Sequence, residues 1–304
     1  YRQSTKRILT ANKNEIMKIE KGIYPGIGME TYHGWKLDKT SLKDGPISCS
    51  MLKAFFPNPW EWLKAPDFKQ SEAMRIGSLY DLAVTDPDEL YNQTVISPYD
   101  SFRTKEAREW KAGIIESGKI IITSQERYDA MHAAAAVLSH PIAGEIMENA
   151  EMQVAIVGEI GGIPAKCLLD ILPDRDGDHC ETIFDYKTTS NGLDDESIRK
   201  AIGEYKYHWQ AAFYRSLFNQ VSPDRVCSDF GFIFQSTATH EVRVVMLSDD
   251  ALSLGTKAIK HALIDYAKCS HQGIKSRYLE TCESMDLMPY HAMNEDESLN
   301  LLHD

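Results

Sequence analysis

A carboxylate and a lysine two positions apart on a β-strand point to the same face, which sets a metal ligand beside a cation. Four such acid-x-Lys triplets occur in the chain: Asp67-Phe68-Lys69, Glu109-Trp110-Lys111, Asp185-Tyr186-Lys187 and Glu204-Tyr205-Lys206. Three of them fall in stretches that read as loop or helix. In a helix, positions two apart diverge by about 200° around the axis. Only Asp185-Tyr186-Lys187 closes a strand-like run, Thr182-Ile183-Phe184. A second acid, Asp170, ends the preceding run, Lys166-Cys167-Leu168-Leu169-Asp170. A hairpin through residues 173–179 would bring the two aspartates together. Two close carboxylates with a lysine alongside make a poor core and a good oxygen site for Mg²⁺ or Mn²⁺. Spacing alone leaves a second reading open: a surface ion pair between Lys187 and one aspartate, contributing little.

The elements that must position these groups follow from pattern. Residues 1–22 read as a helical arm, and residues 22–28 as a Gly- and Pro-rich break. Short helices are expected over 48–65, interrupted at Pro57 and Pro59, with Trp60 and Trp62 in the core. Ser71 caps a helix that presents Met74, Leu79, Leu82 and Ala83 on one face and ends at Asp86-Pro87. Residues 105–116 read as a helix and 120–122 as a strand. Thr123 and Glu126 have the spacing of a capping box, opening an Ala-rich helix to about residue 138. The middle changes character. Runs at 152–157, 165–172 and 181–186 predict an antiparallel meander. A helix over 194–219, strands at 230–235 and 241–247, and a helix over 249–268 follow. This order predicts an α/β fold in which helices flank a mixed central sheet. The expected division is an arm (1–22), a catalytic domain (23–282) and an acidic tail (283–304).

Bulk properties bound the function. The 304 residues are 43% hydrophobic and 26% charged, ordinary for a globular protein. No apolar run approaches the roughly 20 residues that span a bilayer, and no signal-peptide pattern opens the chain. It begins at Tyr1 without Met, as expected of a piece of a longer protein. The six cysteines form no C-x-x-C pair, which favours reduced thiols in a cytoplasmic setting. A net charge of −12 argues against a broadly basic nucleic-acid surface. A DNA channel then requires a local basic lining.

Further motifs accompany the acidic pair. In chain order they are Gly26-Ile27 through Tyr32-His33, Ile47-Ser48-Cys49-Ser50-Met51-Leu52, Ile76-Gly77-Ser78-Leu79-Tyr80-Asp81, Ala150-Glu151, and Tyr207-His208-x-Gln210-x-x-x-Tyr214. With Asp170 and Asp185-x-Lys187-Thr188-Thr189, this series resembles the PD-(D/E)XK nucleases of the RecB-like superfamily. More narrowly it resembles the nuclease domain of RecE-type phage exonucleases (exonuclease VIII). Some relatives carry a four-cysteine iron–sulfur cluster; the close cysteine grouping it needs is missing here. At the position of Asp81 the family has a metal-binding histidine. Aspartate suits Mg²⁺ at least as well, because hard cations prefer oxygen.

The resemblance implies a catalytic set of Asp170, Asp185 and Lys187. One or two Mg²⁺ or Mn²⁺ ions would be held by Asp81, Asp170, Asp185 and the Tyr186 carbonyl. Gln210 and Tyr214, four apart on one helix face, would touch DNA or steady the lysine, with ordinary packing as the alternative. Glu151 would help to place water or a second metal, and Lys166 would meet a phosphate. His208 reads as a packed residue. The activity implied is 5′-to-3′ degradation of duplex DNA from its ends, leaving a 3′ single strand for recombination. Expected partners are DNA ends, a single-strand annealing protein and further copies of the chain in a ring, in the cytoplasm of a bacterial host of a phage or prophage. The alternatives are an endonuclease or flap nuclease of the same fold, and a catalytically weakened DNA-processing scaffold.

Overall fold

Strand pairing in the centre begins from a two-residue hairpin. Gly161 and Gly162 both have positive φ (+61° and +80°), which this tight turn needs and side chains resist. The turn joins β5 (Glu151–Ile160) to β6 (Ile163–Leu172), with Ile160 opposite Ile163. β7 (Thr182–Thr189) runs antiparallel to β6, completing the expected meander, and β8 (Asp229–Ser236) runs parallel to β7. β9 (Val242–Met246) closes that edge antiparallel to β8. At the other edge β1 (Gly22–Tyr24) pairs with β5, so a strand lies where the sequence reads as a turn-rich break. The short β2 (Ile47–Ser48) pairs parallel to the start of β6, making a mixed sheet of seven strands among the described residues. The computed structural model describes residues 19–66, 70–276, 278, 282, 284 and 285. Most of the expected arm, nearly all of the tail and the triplet Asp67-Phe68-Lys69 lie outside the described residues.

Helices cover both faces. Before β5 come α1 (Met29–Gly34), α2 (Cys49–Phe55), α3 (Pro59–Lys64), α4 (Glu72–Thr85), α5 (Pro87–Gln93), α6 (Lys105–Glu116), α7 (Ser124–Ser139) and α8 (Pro141–Met147). A two-stranded ribbon, β3 (Thr94–Ile96) with β4 (Ile120–Ile122), lies among them. The cap signals act as read. Ser71 accepts from the Met74 N–H at 3.3 Å, and Thr123 and Glu126 form the reciprocal capping box. Pro59 starts α3 as its first residue, where a missing N–H costs nothing, so it does not interrupt a helix. Trp62 is buried as expected, but Trp60 is 37% exposed beneath the Lys64 ammonium.

The helix expected over 194–219 is two helices, α9 (Asp195–Glu204) and α10 (Tyr207–Val221), because Lys206 adopts a left-handed conformation. α10 packs on the face formed by Val154, Ile156, Cys167, Leu169, Ile183 and Phe232. α4, α7 and α8 cover the opposite face through Phe184, Tyr186 and Ile233. α11 (Asp249–Gln272) lies over α10. Gly255 permits that approach, since a Cβ there would collide with the His208 carbonyl. Gly255→Ala should therefore push α11 off α10 and cost roughly 1–3 kcal/mol of stability. Urea unfolding monitored by circular dichroism would show a lower midpoint at unchanged slope. An unaltered midpoint would mean that the two helices separate freely.

Candidate active site

The sheet opens between β6 and β7. β5 covers one edge of β6 along its whole length, so β2 and β7 must share the other edge. β2 takes the start of β6 (Ala165, Lys166), whereas β7 pairs at Ile171. Asp170 sits in the fork between them. On the β5 side pairing also lapses: Gln153, at φ +52°, has no partner in the register between Met152↔Ile171 and Val154↔Leu169. Local irregularity of this kind re-aims a side chain. The Asp170 carboxylate takes the Tyr186 N–H at 3.2 Å, where a ladder carbonyl would otherwise sit. The N–H and C=O of one strand residue leave on the same side. The Tyr186 carbonyl therefore faces the Asp170 side as well.

Strand alternation puts Asp185 and Lys187 on the α10 face. Asp185 is 1% exposed, and its Oδ1 accepts from Gln210 Nε2 at 2.6 Å. Its Oδ2 forms an ion pair with Lys187 and accepts no other well-aligned hydrogen bond among the described residues. Lys187 is half-buried, and desolvation works to lower its pKa. Asp185 and Asp170 outweigh that effect, raise the pKa and keep the ammonium charged. Asp170 is pushed well above the carboxylate range by burial, then by Asp185 and Asp81. Asp81 reaches the same cluster from α4. Burial, opposed by Lys187 and reinforced by Asp185, raises it to about 7. Among the described residues its buried Oδ1 has no hydrogen-bond partner. Gly77, one turn earlier on the same helix face, lets α4 approach β7, since a Cβ there would lie 3.1 Å from Thr188 Oγ1.

Three aspartates and one lysine thus share one low-dielectric region. Among the described residues no three His, Cys, Asp or Glu side chains are drawn together into a ready-made metal cage. Like charges keep such carboxylates apart without a cation between them, and the Lys187 ammonium lies against Asp185. The donor set nevertheless fits a hard divalent cation: among the described residues the buried Asp81 Oδ1 has no hydrogen-bond donor, Asp185 Oδ2 is held by the Lys187 ammonium alone, and oxygen is the preferred ligand.

The other expected site residues divide. Gln210 is in the cluster. Tyr214, one turn on, packs edge-on against Phe230. Burial, then Tyr32 and Asp185, pushes its hydroxyl far up, so it stands near the acids as a neutral phenol. Glu151 is exposed at the start of β5 opposite Leu172, and its carboxylate makes no hydrogen bond or ion pair among the described residues.

Lys166 is not free to meet a phosphate. It is 5% exposed, and its ammonium donates to the Tyr32 and Trp35 carbonyls at 2.7 and 2.6 Å, tying the end of α1 to the sheet. Burial lowers its pKa to about 8. Lys166→Met should lower stability by roughly 1–3 kcal/mol, the cost of stranding those carbonyls. It should leave the salt dependence of DNA binding unchanged, whereas a phosphate contact would take about one unit from the logarithmic slope.

Two further side chains neighbour the site, and the second of them escaped the sequence reading. Cys49 opens α2 beside the site, and burial pushes its thiol up to about 12, so it is a neutral core thiol. Lys53, one turn further along α2, lies close enough to Lys187 and Lys206 to be repelled by both. The motif at 47–52 stops just short of it, and no periodicity marks a lysine as facing a distant strand. These three lysines form a local cluster of positive charge in an otherwise acidic chain.

The forked mixed sheet and its acid-acid-lysine cluster define a PD-(D/E)XK-type domain. The chain belongs to the family of PDDEXK-like domains of unknown function (DUF3799), whose model matches residues 48–288. A crystal structure from Eubacterium rectale, of a protein described as a candidate exonuclease, superposes with a TM-score of 0.58 at 16% identity, covering 88% of this chain and 97% of that one. SSO0001 aligns at 12% identity over 75% of this chain and 88% of its own, with a TM-score of only 0.28. No curated protein matches the chain. Among the described residues no helix is long and apolar enough to cross a membrane.

Proposed function

We propose that this protein is a divalent-metal-dependent DNA nuclease, acting as an exonuclease on duplex ends. The observation that carries the reading is the convergence of Asp170, Asp185, Asp81 and Lys187 on the β6–β7 fork, with Asp170 on the Tyr186 N–H, Lys187 against Asp185 and Asp81 Oδ1 shut off from solvent. Asp170, Asp185, Asp81 and the Tyr186 carbonyl would hold Mg²⁺ or Mn²⁺. When bound, a divalent cation offsets charge on the phosphate and makes water easier to ionise. Gln210 fixes the Asp185 carboxylate by its 2.6 Å hydrogen bond. The charged Lys187 ammonium donates to the attacking water or to the phosphate oxygen that gains charge. Apolar walls on both faces of β7 limit solvent screening of that donor.

The family resemblance adds 5′-to-3′ polarity, a 3′ single-stranded product, a recombination role with an annealing protein, and a ring of copies. The test is cleavage of end-labelled linear duplex and of covalently closed circles, with Mg²⁺, Mn²⁺ or chelator. Release of labelled mononucleotides from the linear form alone supports the exonuclease. Cutting of closed circles assigns an endonuclease instead, and no cleavage with either metal assigns a scaffold. Asp81→His, which restores the family residue, should retain activity and shift the preference toward Mn²⁺, because Mn²⁺ accepts imidazole more readily than Mg²⁺ does.

A further inference from the structure

The junction between α9 and α10 forms a wall of this site that the proposed mechanism does not use. Lys206, at φ +53°, ends one helix and starts the next, which brings Tyr205 and Tyr207 face to face. Their rings stack with centroids 5.5 Å apart and planes 29° apart. Tyr207 is the inner ring. It contacts Phe232 at 5.4 Å, while the Lys187 and Lys53 ammonium groups lie 5.4 and 5.8 Å from its centroid. Tyr205 is the outer ring and is 57% exposed, although its neighbour is part of the core. Lys53 Nζ donates to the Tyr205 carbonyl at 3.0 Å and so fixes the junction to α2. Lys206 Nζ lies over Trp209 at 4.9 Å, on the next turn. The neighbouring acid of the junction, Glu204, faces Lys200 at 3.9 Å.

A stack of aromatic rings therefore runs outward from Lys187, ends in an open phenol face, and is flanked by two further lysines. Alternating ring faces and cations suit a polyanion whose bases are unpaired. Any nucleobase can stack on such a ring, and stacking contributes about 1–3 kcal/mol per base. A base inside a duplex already has both faces covered. Resting on the nuclease reading, we propose that Tyr205 is a stacking platform for an unpaired nucleobase beside the scissile phosphate, with Lys53 and Lys206 taking the flanking phosphates. The substrate bound at the site is then a nucleic-acid end whose terminal nucleotides have left the duplex, gripped without regard to base identity.

The test measures binding in chelator, so it does not depend on cleavage. Fluorescein-labelled oligothymidylate and an abasic chain of the same length are titrated with protein and followed by anisotropy. The wild type should bind oligothymidylate roughly tenfold more tightly than the abasic chain, a ratio corresponding to about 1.4 kcal/mol. Tyr205→Ala should abolish that preference and leave the thermal melt unchanged, because the ring is largely exposed. Tyr205→Trp should retain it, with tryptophan emission quenched on binding. Lys206→Gln should weaken both chains equally and reduce the salt slope by about one. Equal affinity of the wild type for both chains, or full preference in folded Tyr205→Ala, overturns the proposal. A base preference that depends on Tyr205 in a protein that cuts no DNA would uphold the platform and reject the nuclease. Cleavage without base preference would do the reverse.

Discussion

Lys187→Ala should lower the rate of phosphodiester cleavage by about 10²–10³-fold, the usual loss when one donor to transition-state charge is removed. Lys187 is the cation that the site holds charged inside the protein, against Asp185 and within reach of Asp170. Its removal takes away the donor and also leaves Asp185 buried with only Gln210 for a partner. The metal-free variant should consequently melt earlier than the wild type, and a divalent cation should restore much of the difference by neutralising the carboxylate. Lys111→Ala provides the control. Lys111 belongs to an acid-x-Lys triplet on α6 and packs over Phe102, so its loss should not change the rate. The measurement is single-turnover release of labelled nucleotide, with circular dichroism to verify folding. A folded Lys187→Ala protein within about threefold of the wild-type rate would remove the lysine from the mechanism.

Asp170→Asn should make the metal-free protein more stable above pH 7 while abolishing its stabilisation by metal. In the folded protein Asp81 titrates near 7, and Asp170 lies well above the ordinary 3.8. From about pH 4 upward the unfolded chain releases these protons while the folded protein keeps them. Metal-free stability is therefore greatest below that point and is lost as pH rises through the folded values. Asparagine removes the proton and the penalty, and its side-chain oxygen can still accept the Tyr186 N–H. At pH 8 in chelator the melting temperature should rise by several degrees, on the scale of about 2–4 °C per kcal/mol for a chain of 150–250 residues. At pH 4 the gain should vanish. Asp81→Asn should behave in the same way with a window ending near pH 7. Saturating Mg²⁺ should raise the wild-type melting temperature by mass action and leave Asp170→Asn unmoved. A variant that melts lower at pH 8 in chelator, or one that still gains full stability from Mg²⁺, would show that these carboxylates do not form the cation site.

Local pattern was enough to determine the helices with strong caps, such as those opened by Ser71 and Thr123, because a cap depends on residues three apart. It also determined the meander and the pairing of Asp170 with the Asp185–Lys187 strand, because strand alternation and a short connection leave few arrangements. The edge strand β1 was not legible in a Gly- and Pro-rich stretch, since its partner β5 lies more than a hundred residues away. The break at Lys206 was equally hidden, because one apolar periodicity covers both helices, whereas in the fold Lys206 turns left-handed and Tyr207 seats against Phe232 of β8. Tertiary structure decided burial, and burial decided chemistry. It tied Lys166 to two carbonyls, brought Lys53 to the site from α2, and carried Asp81 on α4 into the aspartate cluster. A sequence specifies which groups can carry charge. How strongly each charge is felt depends on which distant elements exclude water from it, and that is settled only when the sheet and its helices close together.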